Sequence, residues 1–238
     1  MKTSVKIFAV FVVATIAVSL TACKLNEPEL QLTKNSLENT VWKSVMYEFY
    51  QKQDDIWVFK RKQKLSDINP IILYQFKDGY QWGVNKKWSY SLDPLNRTVT
   101  NDSWVSTIIR LSANEYVFED DGFLAKYRNY LNRIPPLSLA QLKGKWEITD
   151  SKKYNRDNNM WENSGKEIGY WIEFEEGGKG KNSRDHNCNY TVNGNILTIE
   201  CIYGNAFVLE CTANKLVFVH QKKDPNGQYI KETFKRKK

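Results

Sequence analysis

The chain has 238 residues, 41% of them apolar and 26% charged, with only 6 prolines, a composition that excludes collagen-like and disordered classes. Its net charge is +8, but Lys2 and Lys6 near the start and Lys235, Arg236, Lys237 and Lys238 at the end supply most of it, and the body between them is nearly neutral. That excludes a basic nucleic-acid footprint, while 13% aromatic residues with 8 tryptophans favour strands over helical bundles.

Residues 1–22 read as an export signal: Lys2 and Lys6 precede the uncharged run Ile7 to Ala22. At 1.5 Å per residue this run reaches about 24 Å, short of the roughly 30 Å hydrocarbon core of a bilayer, so a cleaved leader is expected rather than a retained span. Leu20-Thr21-Ala22-Cys23 follows directly and resembles the lipobox of bacterial lipoproteins. The resemblance implies cleavage before Cys23, acylation of its thiol with palmitate-type chains, and a mature protein held to the membrane by its first residue. More than one acyl chain at that residue meets the requirement for stable anchoring. The expected location is the bacterial cell envelope, at the outer membrane, with periplasmic and surface sides both open. Residues 23–35, which include Pro28 and carry no hydrophobic period, read as a tether.

From residue 36 onward the chain repeats itself. Ser112 to Phe118 matches Thr212 to Phe218 at an offset of 100, Tyr90-Ser91-Leu92 matches Tyr190-Thr191-Val192 at the same offset, and Phe76 to Gly79 resembles Phe174 to Gly177. Such ordered correspondences describe two copies of one domain, expected at residues 36–134 and 135–238. Pro135-Pro136 marks the boundary, because two prolines force an extended segment and interrupt any ladder. Both copies have the spacing of strands. In the second, Asn193-Gly194 predicts a type I′ hairpin turn between Tyr190–Val192 and Ile196–Cys201. Gly204-Asn205 and Ala213-Asn214 predict further turns, and so does Asp224-Pro225-Asn226-Gly227. Ser138-Leu139-Ala140-Gln141 predicts a capping box opening a short helix, and Ser36 to Asn39 stands in the matching place. An antiparallel meander of this length must hide its edges, so the expected fold class is all-β, with two tandem up-and-down barrels.

At this point the sequence resembles the lipocalins, a family that opens with a short helical turn and a Gly-x-Trp on the first strand of an up-and-down barrel. Gly144-Lys145-Trp146 carries the motif in the second copy, whereas Thr40-Val41-Trp42 departs from it in the first. The resemblance implies a late arginine against each tryptophan, for which Arg133 and Arg236 stand at matching positions, in a cation–π contact of about 1 kcal/mol. It implies a fold and, more loosely, a cavity, and it does not imply a ligand.

Reactive chemistry is sparse. His186 and His220 lie in no metal-ligand spacing, His186 with Cys188 reads as two neighbours on one strand face, and no Gly-x-Ser-x-Gly elbow occurs. Gly177-Gly178-Lys179-Gly180-Lys181 lacks the Ser or Thr of a phosphate loop and reads as a solvated hairpin tip, and Glu119-Asp120-Asp121-Gly122 reads as a turn. No catalytic residue, metal site or cofactor is therefore assigned. With Cys23 acylated, Cys188, Cys201 and Cys211 remain; the expected register sets Cys188 opposite Ile199, with all three thiols on one face. One disulfide through Cys201 and three buried thiols are both open.

The aromatic residues are the most suggestive feature. Trp82, Trp88, Tyr90 and Trp104 crowd the first copy, and Tyr170, Trp171, Phe174 and Tyr190 the second. They read as core filling or, in the functional reading, as a pocket in which Trp82, Trp88, Tyr90, Trp171 and Tyr190 bind a ligand. The function expected is that of a non-enzymatic envelope lipoprotein binding a small apolar molecule. The alternative is a docking module with filled barrels that engages another envelope protein.

Overall fold

The computed structural model describes residues 28–65, 73–83, 87–102, 104–155, 157–158, 160–165, 169–184, 187–200, 204–221 and 228–237. Cys23, His186 and Cys201, together with the leader, lie outside them. Among the described residues no helix is long and apolar enough to cross a membrane.

The first copy contributes β1 (Thr40–Gln53), β2 (Ile56–Lys64), β3 (Leu73–Lys77), β4 (Tyr80–Trp82), β5 (Lys87–Asp93), β6 (Thr98–Asn101), β7 (Trp104–Leu111), β8 (Glu115–Asp121) and β9 (Ala125–Arg133). After α1 (Leu139–Leu142), the second contributes β10 (Gly144–Asn155), β11 (Met160–Asn163), β12 (Trp171–Phe174), β13 (Lys179–Asn182), β14 (Asn187–Asn193), β15 (Ile196–Ile199), β16 (Gly204–Cys211), β17 (Lys215–Gln221) and β18 (Tyr229–Arg236). The order in the first sheet is β2-β1-β3-β4-β5-β6-β7-β8-β9, and β9 pairs back onto β1. The second runs β11-β10-β12-β13-β14-β15-β16-β17-β18, and β18 pairs back onto β10. The chain thus forms two tandem up-and-down antiparallel barrels, as the strand spacing requires.

The first strand of each barrel is long because it serves three neighbours. The start of β1 pairs with β3 from Thr40 opposite Phe76 to Lys43 opposite Leu73, its far part pairs with β2 from Met46 to Gln53, and β9 follows the other edge. Strand β2 therefore stands beyond the barrel wall as an eave. Asp54 and Asp55 turn this hairpin with φ of 46° and 62°, the left-handed pair of a type I′ turn.

The closed ends are built alike. Trp42 and Trp146 are 1% and 0% exposed. Arg133 lies over the first ring at 5.8 Å and Arg236 over the second at 4.2 Å. The closer approach follows from Gly144: a Cβ there would stand 2.7 Å from the Arg236 guanidinium. In the first copy Thr40 holds that place, and its hydroxyl accepts the Trp42 indole N–H at 2.7 Å, whereas the Trp146 indole donates straight to the Leu142 carbonyl at 2.7 Å. Arg236 also donates to the Lys143, Gln141 and Ala213 carbonyls, which caps the end of α1.

Several local expectations are corrected. The Ser138 side chain makes no capping hydrogen bond to α1, and residues 36–39 are turn rather than helix. Lys179-Gly180-Lys181 belongs to β13, where Gly180 is buried and a Cβ would meet the Glu173 carbonyl at 2.5 Å, so this segment is no solvated tip. Gly204-Asn205 opens β16, and Glu119-Asp120-Asp121 closes β8. The β14–β15 turn is centred one residue later than expected, on Gly194-Asn195. Tyr190, and not Cys188, opposes Ile199. Ile199 in turn opposes Gly204, which leaves Cys211 seven residues along β16, about 23 Å from that rung. Cys188 and Cys211 are in different states: Cys188 is disulfide-bonded and Cys211 is free and half-buried.

The displaced turn has a physical reason in the junction between the barrels. Gln75 of β3, 1% exposed, donates from Nε2 to the Asn193 carbonyl at 2.8 Å and accepts from the Asn195 amide at 2.7 Å. The Asn195 side chain accepts from the Leu137 amide at 3.0 Å and donates to the Pro135 carbonyl at 3.0 Å, which fixes the linker. Gly194, at φ 62°, passes so close to Gln75 that any Cβ would stand within 2.4 Å of it. Around this polar clasp Val41, Leu73, Ile134, Ile196 and Phe207 form a buried cluster shared by the two barrels, with Trp82 packed against it.

Candidate functional site

Strand alternation decides which side chains enter each barrel. Along β8, Tyr116 and Phe118 belong to the interior cluster with Trp42, Phe76 and Leu131. The next residue of that parity is Asp120, which also points inward. Glu119 between them points outward and is fully paired, with Arg128 Nε at 2.7 Å and Lys126 Nζ at 3.2 Å.

The inward residues of the first barrel leave a cavity of about 320 Å³ above its core, open to solvent. Its apolar wall is aromatic: Tyr74 and Phe76 from β3, Trp88 from β5, Trp104 from β7, and Tyr116 and Phe118 from β8, with Val99 beside them. Its polar groups are Gln81, Asn101, Ser106 and Asp120. Asn101 Nδ2 donates to Gln81 Oε1 at 2.9 Å. Asp120 accepts from the Ser106 hydroxyl at 2.5 Å and from Asn129 Nδ2 at 3.2 Å. Trp104 stands at the rim, 64% exposed.

Burial raises the Asp120 carboxyl above its ordinary value, the Ser106 and Asn129 hydrogen bonds oppose that rise, and the neighbouring Asp121 charge adds to it. Burial also pushes the Tyr74 and Tyr116 phenols up, so both remain protonated at neutral pH. Neither hydroxyl has a hydrogen-bond partner among the described residues. Among the described residues no basic side chain lines the cavity.

The same rungs of the second barrel carry other residues. Pairing registers match Tyr74 with Ile172, Gln81 with Gly180 and Trp88 with Cys188. They match Asn101 with Ile199, Trp104 with Gly204 and Ser106 with Ala206. Tyr116 and Asp120 become Leu216 and His220. Ile172, Cys188, Ile199, Ala206 and Leu216 all belong to one packed apolar core. His220 is 5% and Glu232 1% exposed, and they face each other across 3.9 Å inside this barrel.

Of the aromatic residues singled out from the sequence, Trp88 lines the cavity. Tyr90 lies deeper in the same barrel, with its ring 4.9 Å from Phe76 and its hydroxyl donating to Glu38 at 2.7 Å. Trp82 faces outward onto the inter-barrel cluster. Trp171 also faces outward, with Lys145 Nζ 3.5 Å above its ring. Tyr190 packs in the second core 5.0 Å from Phe174 and donates to the Glu175 carbonyl at 2.5 Å. The structure therefore does not bring these five residues into one site. Sequence reasoning passed over Tyr74, Gln81, Ser106 and above all Asp120. The period-two series Tyr116, Phe118, Asp120 was the signal for the last of these, and the acidic run around it disguised it as a turn. Among the described residues no group of three or more His, Cys, Asp or Glu side chains is arranged to hold a metal ion. No family model matches the chain, and no curated protein matches it.

Proposed function

We propose that the chain is a non-enzymatic binding protein of the bacterial cell envelope, held to the membrane through acylated Cys23, with two lipocalin-like barrels of which the first carries a small-molecule site. The observation that carries this reading is the asymmetry of the interiors: about 320 Å³ of open, aromatic-lined space in one barrel, and apolar packing at the matching rungs of the other. That volume lies at the small end of the usual range for ligand sites, about 300–1,000 Å³, and suits one or two fused rings rather than a sterol or haem. Burying roughly 200 Å² of apolar ligand surface at about 25 cal/mol/Å² contributes about 5 kcal/mol before association costs, which sets micromolar affinity as the working scale.

The test is calorimetric titration of the full-length protein with a panel of small mono- and bicyclic compounds. Binding is expected from part of the panel, and Trp88→Ala weakens it about tenfold through loss of one aromatic wall. Absence of binding across the panel at 1 mM (~4 kcal/mol of affinity) overturns the reading. It then favours docking to another envelope protein, for which the exposed tips of the β1–β2 and β8–β9 hairpins stand ready. Phe123 is 91%, Ile56 68% and Leu124 61% exposed there.

A further inference from the structure

We infer that the cavity of the first barrel recognises an organic cation, a protonated amine or quaternary ammonium group carried on one or two rings, with Asp120 as its counter-charge and the indoles of Trp88 and Trp104 as its walls. The inference rests on the ligand-binding reading and narrows it from any small apolar molecule to one charge class.

Among the described residues Asp120 is the one carboxylate lining the cavity, no basic side chain lines it, and no ion pair reaches Asp120. Its two hydrogen-bond donors, Ser106 and Asn129, are neutral. A carboxylate withdrawn from water without a positive partner is costly, and a ligand cation removes that cost where a neutral ligand does not. The adjacent Glu119 shows the contrast: on the outer face it is neutralised by Arg128 and Lys126. Aromatic faces attract cations most strongly when the ring is an indole, and the cavity has two, one of them largely exposed at the rim with room for a guest.

The fold itself does not require these residues. In the second barrel the rungs of Asp120, Trp88 and Trp104 hold His220, Cys188 and Gly204, and the barrel still closes. Ligands with a carboxylate or phosphate head, fatty acids among them, meet like-charge repulsion at Asp120.

Three probes with one ring system and different heads separate the possibilities: 2-naphthylmethylammonium, 2-naphthalenemethanol and 2-naphthoate, titrated calorimetrically into the full-length protein at pH 7.5 (about three and a half units above an ordinary carboxyl). The ammonium probe is expected to bind roughly tenfold or more tighter than the alcohol, with the carboxylate weakest. Asp120→Asn should bring the ammonium probe down to the level of the alcohol and leave the alcohol unchanged. Asn101→Lys, which introduces a positive charge without touching Asp120, should weaken the ammonium probe and improve the carboxylate; it keeps the test decisive if Asp120→Asn does not fold. Equal binding of alcohol and ammonium by the wild type overturns the cation inference alone, as does an ammonium preference that survives Asp120→Asn. Failure of all three probes to bind overturns the ligand-binding reading and this inference with it.

Discussion

At their closed ends the two barrels place the same residue types on the same rungs: a tryptophan from the first strand, an arginine from the last strand above it, and a phenylalanine meeting a tyrosine edge to face, Phe76 with Tyr90 and Phe174 with Tyr190. Toward the other end they diverge. Where the first barrel has Trp88, Trp104, Ser106 and Asp120, the second has Cys188, Gly204, Ala206 and His220. The closed end is what the fold needs, since without a buried plug a small barrel has too little apolar surface to hold together. The other end carries no such obligation: one copy filled it and the other left it open, with a carboxylate inside. A cavity in one copy and packing in the other shows that the architecture does not require the opening, which is the asymmetry the proposed binding role rests on.

The largest expected effect lies in the packed barrel. Phe218 is fully buried and stacked on Phe234 at 5.1 Å, so Phe218→Ala should cost about 3–5 kcal/mol in denaturant unfolding of the second barrel. The matching Phe118→Ala should cost visibly less, because one side of Phe118 already faces the cavity and its loss creates less new void. Equal costs for the two substitutions would break the comparison.

A smaller effect is expected at the junction. Gln75→Ala removes two hydrogen bonds to the Asn193-Gly194-Asn195 turn and leaves buried backbone groups unmet, a loss of about 1–3 kcal/mol. Calorimetry should then resolve two transitions, against the single coupled transition expected of the wild type. A single unshifted transition would mean that the clasp does not couple the barrels.

The smallest effect concerns pH and the empty cavity. Burial first, and the Asp121 charge after it, raise the Asp120 carboxyl in the folded state, against the hydrogen bonds from Ser106 and Asn129. Between the unfolded value near 4 and that raised value the folded protein binds more protons than the unfolded chain. This group's contribution to stability is therefore full below about pH 4 and is lost as pH rises through the folded value. The groups facing Asp120 from the packed strands are Tyr74, Tyr116, Ser106 and Asn129, none of which titrates in that window. The difference between wild type and Asp120→Asn isolates the effect: without ligand, the variant should gain melting temperature relative to the wild type as pH rises from 4 to 7 (a window set by the ordinary carboxyl value, about 3.9). A difference that stays flat would place Asp120 in a solvated setting.

Much of the architecture was legible in the residues because it depends on local patterns. The offset-100 repeat, the Pro135-Pro136 break and the period-two alternation specify two antiparallel copies, whereas the pairing of Trp42 with Arg133 and of Trp146 with Arg236 was expected only from the resemblance to lipocalins. Local patterns also misled where one residue type serves two purposes. Acidic residues favour turns, so Glu119-Asp120-Asp121 read as one; the ladder instead carries the strand through Asp121, paired with Lys126.

What only the tertiary structure decided is which rung faces which, and hence what lies inside. Trp82 and Trp88 are six residues apart, a separation that would put them on one face of an unbroken strand. Between them the chain turns so that Trp82 opposes Lys87 and Gln81 opposes Trp88, which sends one indole to the neighbouring barrel and the other into the cavity. The same logic moved the β14–β15 turn onto Gly194-Asn195, because Gln75, more than a hundred residues away in sequence, takes the hydrogen bonds that the shifted turn offers. Alternation along a strand is a property of neighbours and is written locally. The face on which it begins is set by register, and register is settled only when distant strands pair and one face is buried.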